Sequence, residues 1–293
     1  MGWFLHHVNI QAFDVLETAA FYRDLIGLED GVWAYPDPET ERQEDPRTRA
    51  FFGSQNRGIH VVRGRPDFQA RNGLAHNPTI GGHFAMTVAD AGAVKARLEA
   101  AGYMVSDAGV YAMAGMRQLY VYDPDMNVIE INEAVDASAG PKPAGEEAHG
   151  VRTEPGGWFI HHVNLPAHDV RRTAAFFSDL VGIEEGEWQT AAGSPEANMV
   201  NDRTRLALFG DDNRGLHIVK PVPDFAKRNG FDHNPTVGGH FALTVKDLDA
   251  VHARLKAADV LVTDAGSYAM AGMRQLYAYD PSMNLVEINQ VVG

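Results

Sequence analysis

The chain has no cysteine among its 293 residues, which excludes disulfides, thiolate nucleophiles and cysteine-based zinc or iron–sulfur sites. Any metal it binds must be held by nitrogen and oxygen. Cations are scarce as well: 25 Lys and Arg stand against 39 Asp and Glu, a formal net charge of −14. That balance offers no electrostatic footprint for nucleic acid or for an anionic membrane, both of which need clustered basic residues. No apolar run approaches the roughly 18 residues of a membrane span. The segment Met1–His7 lacks the basic stretch and apolar core of a signal peptide, so the cytoplasm is the expected compartment. What remains is ordinary globular composition, 45% hydrophobic and 22% charged, over a length that suits two domains better than one core.

Internal repetition gives the organisation. Gly2-Trp3-Phe4-Leu5-His6-His7-Val8-Asn9-Ile10 returns as Gly157-Trp158-Phe159-Ile160-His161-His162-Val163-Asn164-Leu165. Asn56-Arg57-Gly58-Ile59-His60 returns as Asn213-Arg214-Gly215-Leu216-His217, and the run from His76 to His83 returns from His233 to His240. The ten residues from Tyr111 to Tyr120 recur unchanged from Tyr268 to Tyr277. The offset grows from 155 to 157, which places about two extra residues after the first helix of the second copy. The domains are therefore 1–133 and 157–293, joined by 134–156, whose Ala, Gly, Pro and acidic composition reads as an exposed linker.

Each half divides again. Strand Phe4–Ile10 leads to Asp14, a cap for a helix with apolar Leu16, Ala19, Ala20 and Leu25 that stops at Gly27. Strand-like runs follow at Leu28–Tyr35, Thr48–Phe52 and Gly58–Val62. The second quarter repeats the plan, with strand Gly82–Val88, cap Asp90, a helix through Val94 and Leu98 ending at Gly102, and runs near Met104, Met116–Tyr122 and Asn127–Asn132. The plan is βαβββ, four times over. The modules could pair first with second, bringing His7, His60, His83 and Glu130 together, or first with fourth, so that His7 and His60 meet His240 and Glu287.

Strand alternation locates the chemistry. Phe4, Val8 and Ile10 face one way and His7 and Asn9 the other; Ile59 and Val61 oppose His60; Phe84, Met86 and Val88 oppose His83; Ile129 and Ile131 oppose Glu130. Each strand thus offers an apolar face to the helices and turns a histidine or glutamate away from it. His162, His217, His240 and Glu287 repeat the set. Imidazoles with a carboxylate suit Fe(II), Mn(II), Zn(II) or Ni(II), and two histidines with one carboxylate leave positions open for substrate and O₂. By the same alternation His6 and His161 fall on the helix side. Trp33 and Trp188 either line the cavity or fill the core, the core being favoured; His76 and His233 read as turn residues, and Arg117 and Arg274 as salt-bridge partners facing away from Tyr120.

The opening His-His-Val strand, the helix with Phe21-Tyr22-Arg23-Asp24-Leu25-Ile26-Gly27-Leu28, the strand at His83 and the closing Asp123-Pro124-Asp125-Met126-Asn127-Val128-Ile129-Glu130 resemble the vicinal oxygen chelate superfamily. The likeness spans essentially the whole chain outside the linker. It implies an α+β fold in which four βαβββ modules form two half-barrel domains. It also implies metal ligands His7, His83 and Glu130 in one half and His162, His240 and Glu287 in the other. His60 and His217 then distinguish two reactions. As a fourth ligand each would suit a glyoxalase I-like isomerase or lyase; beside the metal each would be the acid/base residue of an extradiol-type dioxygenase. Tyr120 and Tyr277, ten residues before each glutamate, resemble the substrate-orienting tyrosine of the dioxygenase signature.

Two departures stand out. Met126 and Met283 replace a Gly or Pro, and Tyr111 and Tyr268 replace a substrate-contacting histidine, which points from catechols toward a hydroquinone-type or other phenolic substrate. The expectation is an Fe(II)-dependent ring-cleaving dioxygenase, with Mn, Zn, Ni or Co as the other metals and a small aromatic molecule and O₂ as partners. A homo-oligomer is compatible with the sequence. The remaining alternative, a metal-free sequestering protein, follows from the superfamily's antibiotic-binding resistance members.

Overall fold

A computed structural model of the chain describes residues 3–34, 45–110, 113–136, 154–188, 202–211, 213–267, 270 and 272–292. Tyr111, Tyr268, most of the linker and the two-residue length difference between the copies lie outside the described residues.

The first half forms one seven-stranded sheet from β1 (Trp3–Ala12), β2 (Arg49–Ser54), β3 (Arg57–Arg63), β4 (His83–Val88), β5 (Ser106–Val110), β6 (Met116–Tyr122) and β7 (Val128–Ala134). Its spatial order is β2-β3-β1-β4-β7-β6-β5. The second half repeats it with β8 (Phe159–Pro166), β9 (Leu206–Phe209), β10 (Gly215–Val219), β11 (His240–Thr244), β12 (Val262–Gly266), β13 (Met273–Tyr279) and β14 (Leu285–Val291). In each sheet the opening strands of two modules pair antiparallel at the centre, and each is flanked in parallel by its own module's last strand. The first module therefore pairs with the second, and the third with the fourth. Among the described residues the expected run at Leu28–Tyr35 supplies a single bridge, Asp30 to Phe52, matched by Glu185 to Phe209. The strand expected near Met104 begins at Ser106, leaving Met104 exposed.

Asp14 caps α1 (Val15–Ala20) by accepting from the Leu16 and Glu17 amides. The helix then widens into a π-helical turn, π1 (Phe21–Ile26), and ends at Gly27 in the left-handed conformation, φ 92°. The buried stripe runs through Val15, Thr18, Ala19, Tyr22 and Ile26 at α-helical spacing, with Phe21 beside it, so Leu16, expected in the core, lies off it and is 50% exposed. The second half repeats this as α4 (Val170–Ala175) and π2 (Phe176–Val181). Two one-turn helices, α2 (Phe68–Arg71) and α5 (Phe225–Asn229), follow β3 and β10; α3 (Ala91–Ala100) and α6 (Leu248–Ala257) follow β4 and β11. Among the described residues no helix is long and apolar enough to cross a membrane.

The helical faces of the two sheets share one apolar core, in which Trp3, Tyr22 and Phe84 of the first half meet Trp158, Phe177 and Phe241 of the second. The helices cross-pair. Arg254 on α6 donates to the Leu25 and Ile26 carbonyls at 2.7 and 3.0 Å, capping π1. Arg97 on α3 caps π2 through Leu180 and Val181 at the same distances. These guanidiniums satisfy carbonyls that a helix C-terminus leaves unpaired. Both pairings that the sequence allows are thus present in different layers: modules one and two share a sheet, while the helices of module one lie against module four. The linker's end is not exposed as expected, because Glu154 is 6% exposed and is held by Ser54 and Arg57.

Candidate metal centres

The four central strands of the first sheet lie in the order β3-β1-β4-β7 and carry His60, His7, His83 and Glu130 respectively. Register aligns them: Asn9 pairs with both His60 and His83, and Ala85 pairs with both His7 and Glu130. Three of the four meet. His7 Nε2 lies 3.4 Å from His83 Nε2 and 3.5 Å from Glu130 Oε2, and His83 Nε2 lies 3.3 Å from Glu130 Oε2. In the second half the separations among His162, His240 and Glu287 are 3.2, 3.6 and 3.5 Å. Ligand atoms about 2.0–2.2 Å from a common ion lie roughly 3.0–3.5 Å apart, so both triangles fit a single first-row divalent metal.

Tautomers support that fit. His83 Nδ1 bonds the Pro78 carbonyl at 2.9 Å, and His240 Nδ1 bonds that of Pro235 at 3.0 Å. A carbonyl only accepts, so Nδ1 carries the proton and Nε2 presents its lone pair to the glutamate. A bare nitrogen facing a carboxylate oxygen is repulsive unless a cation lies between them. Burial lowers His7 despite Glu130, keeping its imidazole neutral. A neutral imidazole beside a carboxylate is the state that metal binding requires.

Around the triangle, Asn132 donates to Glu130 Oε1 at 3.0 Å, and Thr87 in turn donates to Asn132. Asn289 and Thr244 do the same for Glu287. Such outer contacts fix the direction of a ligand oxygen. The Glu-x-Asn spacing was visible in both copies of the sequence, but nothing there marked the asparagine as an orienting group.

His60 does not join the triangle. Its ring stacks on His7 with centroids 3.9 Å apart, and its Nε2–H donates to the Asn56 carbonyl at 2.8 Å. His217 repeats this on His162 and Asn213, at 3.9 and 2.7 Å. Burial lowers His60 well below the usual histidine range and His217 to about 3, so both rings are neutral near pH 7. Asn56 sits at φ 58° and also holds the Ala34 amide and carbonyl through its side chain, which ties the Trp33 segment to His60. Tyr120 pairs with Glu130 across β6 and β7, lies edge-on to His83 at 5.7 Å, and accepts from Gln118 at 3.0 Å. Tyr277, His240 and Gln275 match it.

A cavity of about 470 Å³ opens on the first site, lined by His7, His60, His83, Tyr120 and Glu130. Trp33 also lines it, 4.3 Å from the His60 ring, rather than filling the core as expected. Trp188 stands 4.5 Å from His217. A bulge at His6 breaks the alternation of β1, so His6 Nδ1 reaches His7 Nδ1 at 2.9 Å and Phe4 stacks on His6. Trp3 and Leu5, not Phe4, face the helices; the same bulge places His161 against His162. His76 bonds Ser106 at 2.7 Å and His233 bonds Thr263 at 2.7 Å, in buried turns outside the ligand triangles. Arg117 pairs with Asp107 and Arg274 with Asp264, as alternation implied.

Comparison with known proteins agrees with this architecture. The model of the Glyoxalase/Bleomycin resistance protein/Dioxygenase superfamily matches residues 4–131 and 159–288. No curated protein gives a significant match. Among solved structures, the Mn(II)-bound glyoxalase from Novosphingobium aromaticivorans is 18% identical with a TM-score of 0.60, covering 99% of this chain and 82% of its own. The 2,3-dioxygenase LapB from Pseudomonas sp. KL28 is 14% identical with a TM-score of 0.62, covering 99% and 92%. A mutant of homoprotocatechuate 2,3-dioxygenase from Brevibacterium fuscum is 15% identical with a TM-score of 0.61, covering 99% and 71%.

Proposed function

Because this chain belongs to the Glyoxalase/Bleomycin resistance protein/Dioxygenase superfamily, we propose that each half is a ring-opening dioxygenase site, extradiol or hydroquinone in type, for a small phenolic substrate. The observation that carries the reading is a three-ligand face of His7, His83 and Glu130 with His60 standing off it, its Nε2 occupied by Asn56. Three protein ligands leave three positions of an octahedral metal, enough for two substrate oxygens and O₂; four would leave two, too few for all three.

His7, His83 and Glu130 would hold the metal, with His162, His240 and Glu287 as the second set. Held there, a divalent metal, Fe(II) first and Mn(II) second, would supply the redox or Lewis-acid chemistry. The chain's own residues do the rest. His60 is neutral with Nε2–H fixed on Asn56, so its lone pair is on Nδ1 and the ring takes a proton rather than gives one at neutral pH. Tyr120 accepts from Gln118 and turns its hydroxyl proton to a substrate oxygen. Trp33 gives a flat ring a surface to lie against. His217, Tyr277 and Trp188 play these parts in the second half.

The test is O₂ uptake by Fe(II)-reconstituted protein over a panel of catechols and hydroquinones. Uptake coupled to ring opening is expected; none across the panel contradicts the reading. The likeness to a Mn(II)-bound glyoxalase and the 3.9 Å stacking of His60 on His7 favour one alternative, a glyoxalase-like isomerase in which His60 swings in as fourth ligand. Turnover without O₂ on Zn, Ni or Co protein would select it.

A further inference from the structure

Which nitrogen a histidine offers to a metal is set by what its other nitrogen touches. His83 and His240 are settled by the Pro78 and Pro235 carbonyls, which only accept. At His7 and His162 the group on Nδ1 is instead another imidazole, His6 Nδ1 at 2.9 Å and His161 Nδ1 at 3.0 Å. Both of these partners are buried. Adjacent strand residues ordinarily point to opposite faces, so the contact needs a break in the strand. Each opening strand has one. Leu5 pairs with Met86 and His7 with the very next residue, Ala85, which leaves His6 as the extra residue of a bulge. His161 holds the same place between Ile160, paired with Leu243, and His162, paired with Ala242. The two rings of each pair meet edge-on, at 79° and 82°, and Phe4 and Phe159 stack on His6 and His161.

Two Nδ1 atoms facing each other at 2.9 Å hold one proton between them. If His6 donated it, neutral His7 would carry its own proton on Nε2, the atom 3.4 Å from His83 Nε2 and 3.5 Å from Glu130 Oε2, and would have no lone pair for a metal. If His7 donates it, His7 Nε2 is bare and completes a donor set with His83 Nε2 and Glu130 Oε2, while the proton of His6 sits on Nε2. The tautomers of His6 and His7 are therefore a single choice, and that choice decides whether the triangle can take an ion. A donated Nδ1–H also fixes the plane of the ligand ring and makes its Nε2 a more basic donor. The same reasoning holds for His161 and His162, whose Nε2 lies 3.2 Å from His240 Nε2 and 3.6 Å from Glu287 Oε2.

We propose that His6 and His161 are positioning residues of the two centres, each accepting the Nδ1 proton of the ligand beside it and so holding that ligand's Nε2 bare toward the metal. The proposal rests on both triangles holding a metal, and not on the reaction they perform. Its test uses Zn(II) and the full chain. Nitrogen-15 NMR of the histidine rings in the Zn(II)-loaded chain should show His7 and His162 protonated on Nδ1, and His6 and His161 protonated on Nε2. A proton on Nδ1 of His6 or His161 would overturn the proposal without any variant being made. In chelator competition, His6→Phe should weaken Zn(II) about 10–100-fold in the first half alone, and His161→Phe should do so in the second alone. His6→Asn, whose amide oxygen can accept the same proton, should recover most of that loss. Simple packing predicts the reverse order, because phenylalanine keeps the ring and its stack on Phe4 while asparagine loses both. Two Zn(II) per chain held as tightly by both Phe variants as by the parent would overturn the proposal and leave the centres standing. No Zn(II) bound by the parent would remove both.

Discussion

The two halves are nearly the same machine in their interiors and differ where they meet a ligand and where they meet each other. Each triangle has two Nε2 atoms and one Oε2 within 3.2–3.6 Å, each has an asparagine behind the glutamate, and each has a histidine stacked at 3.9 Å. The strand beside His60 has drifted, with Arg49 and Phe51 of β2 matched by Leu206 and Leu208 of β9. So has the seam, where Tyr22 donates to Asp280 at 3.0 Å, while the counterparts of that pair in the repeat are Phe177, which has no hydroxyl, and Asp123.

The largest expected effect tests the shared part. Asn132→Ala should weaken metal binding in the first half by about 10–100-fold, and Asn289→Ala should do the same in the second, each leaving the other half untouched. Chelator competition followed site by site reads this out. A loss shared across both halves would mean that the two centres are not independent.

The seam comes next. Asp123 and Asp280 each cap the turn before the glutamate strand, accepting from backbone amides and from Asn127 or Asn284. Burial raises Asp280, and raises Asp123 to about 6. Tyr22→Phe removes a buried hydrogen bond to a carboxylate and should cost about 2 kcal/mol in chemical denaturation. Phe177→Tyr should stabilise at pH 7 by about 1 kcal/mol by giving Asp123 the donor that Asp280 already has. No gain there would mean that the two seams are not equivalent.

A pH series sharpens the same contrast. The folded value of Asp123, about 6, lies above an unfolded carboxylate's roughly 3.9, so the native state binds the proton more tightly. Its contribution is full below about pH 4 and is lost as pH rises through 6. Subtracting the Asp123→Asn curve from that of the parent should leave a component of about 1–3 kcal/mol falling over that window. A difference curve that is flat or rises with pH would contradict the assignment. The smallest effect concerns Met126 and Met283, held at φ 68° and 66° with about two thirds of each side chain exposed. Glycine there relieves left-handed strain of about 1 kcal/mol but adds unfolded-state entropy. Met126→Gly and Met283→Gly should each gain a few tenths of a kcal/mol, equally in both halves, by thermal melting.

The candidate ligands were legible in the sequence because alternation is a two-residue rule and the histidines and glutamates oppose runs of Ile, Val and Phe, while the choice of three among the four in each half came from the family resemblance. The rule failed at β1, where the bulge at His6 moved Phe4 and His6 to the cavity side and gave the core Trp3 and Leu5. A bulge is a register event between strands and has no local composition to announce it. The exposed Leu16 has a different cause: the buried stripe runs through Val15, Thr18, Ala19 and Tyr22, one position away from a stripe drawn through Leu16, Ala19 and Ala20. Asn56 escaped notice for another reason. Its side chain holds Ala34 and its carbonyl holds His60, and links made across a loop carry no periodic signal.

One measurement bears most directly on the claim that each half holds a divalent metal through two histidines and a glutamate. Metal content per chain, by elemental analysis after reconstitution and desalting, should be close to two in the parent and close to one in Glu130→Ala and in Glu287→Ala separately. Content near zero in the parent, or near two in either variant, would contradict the account.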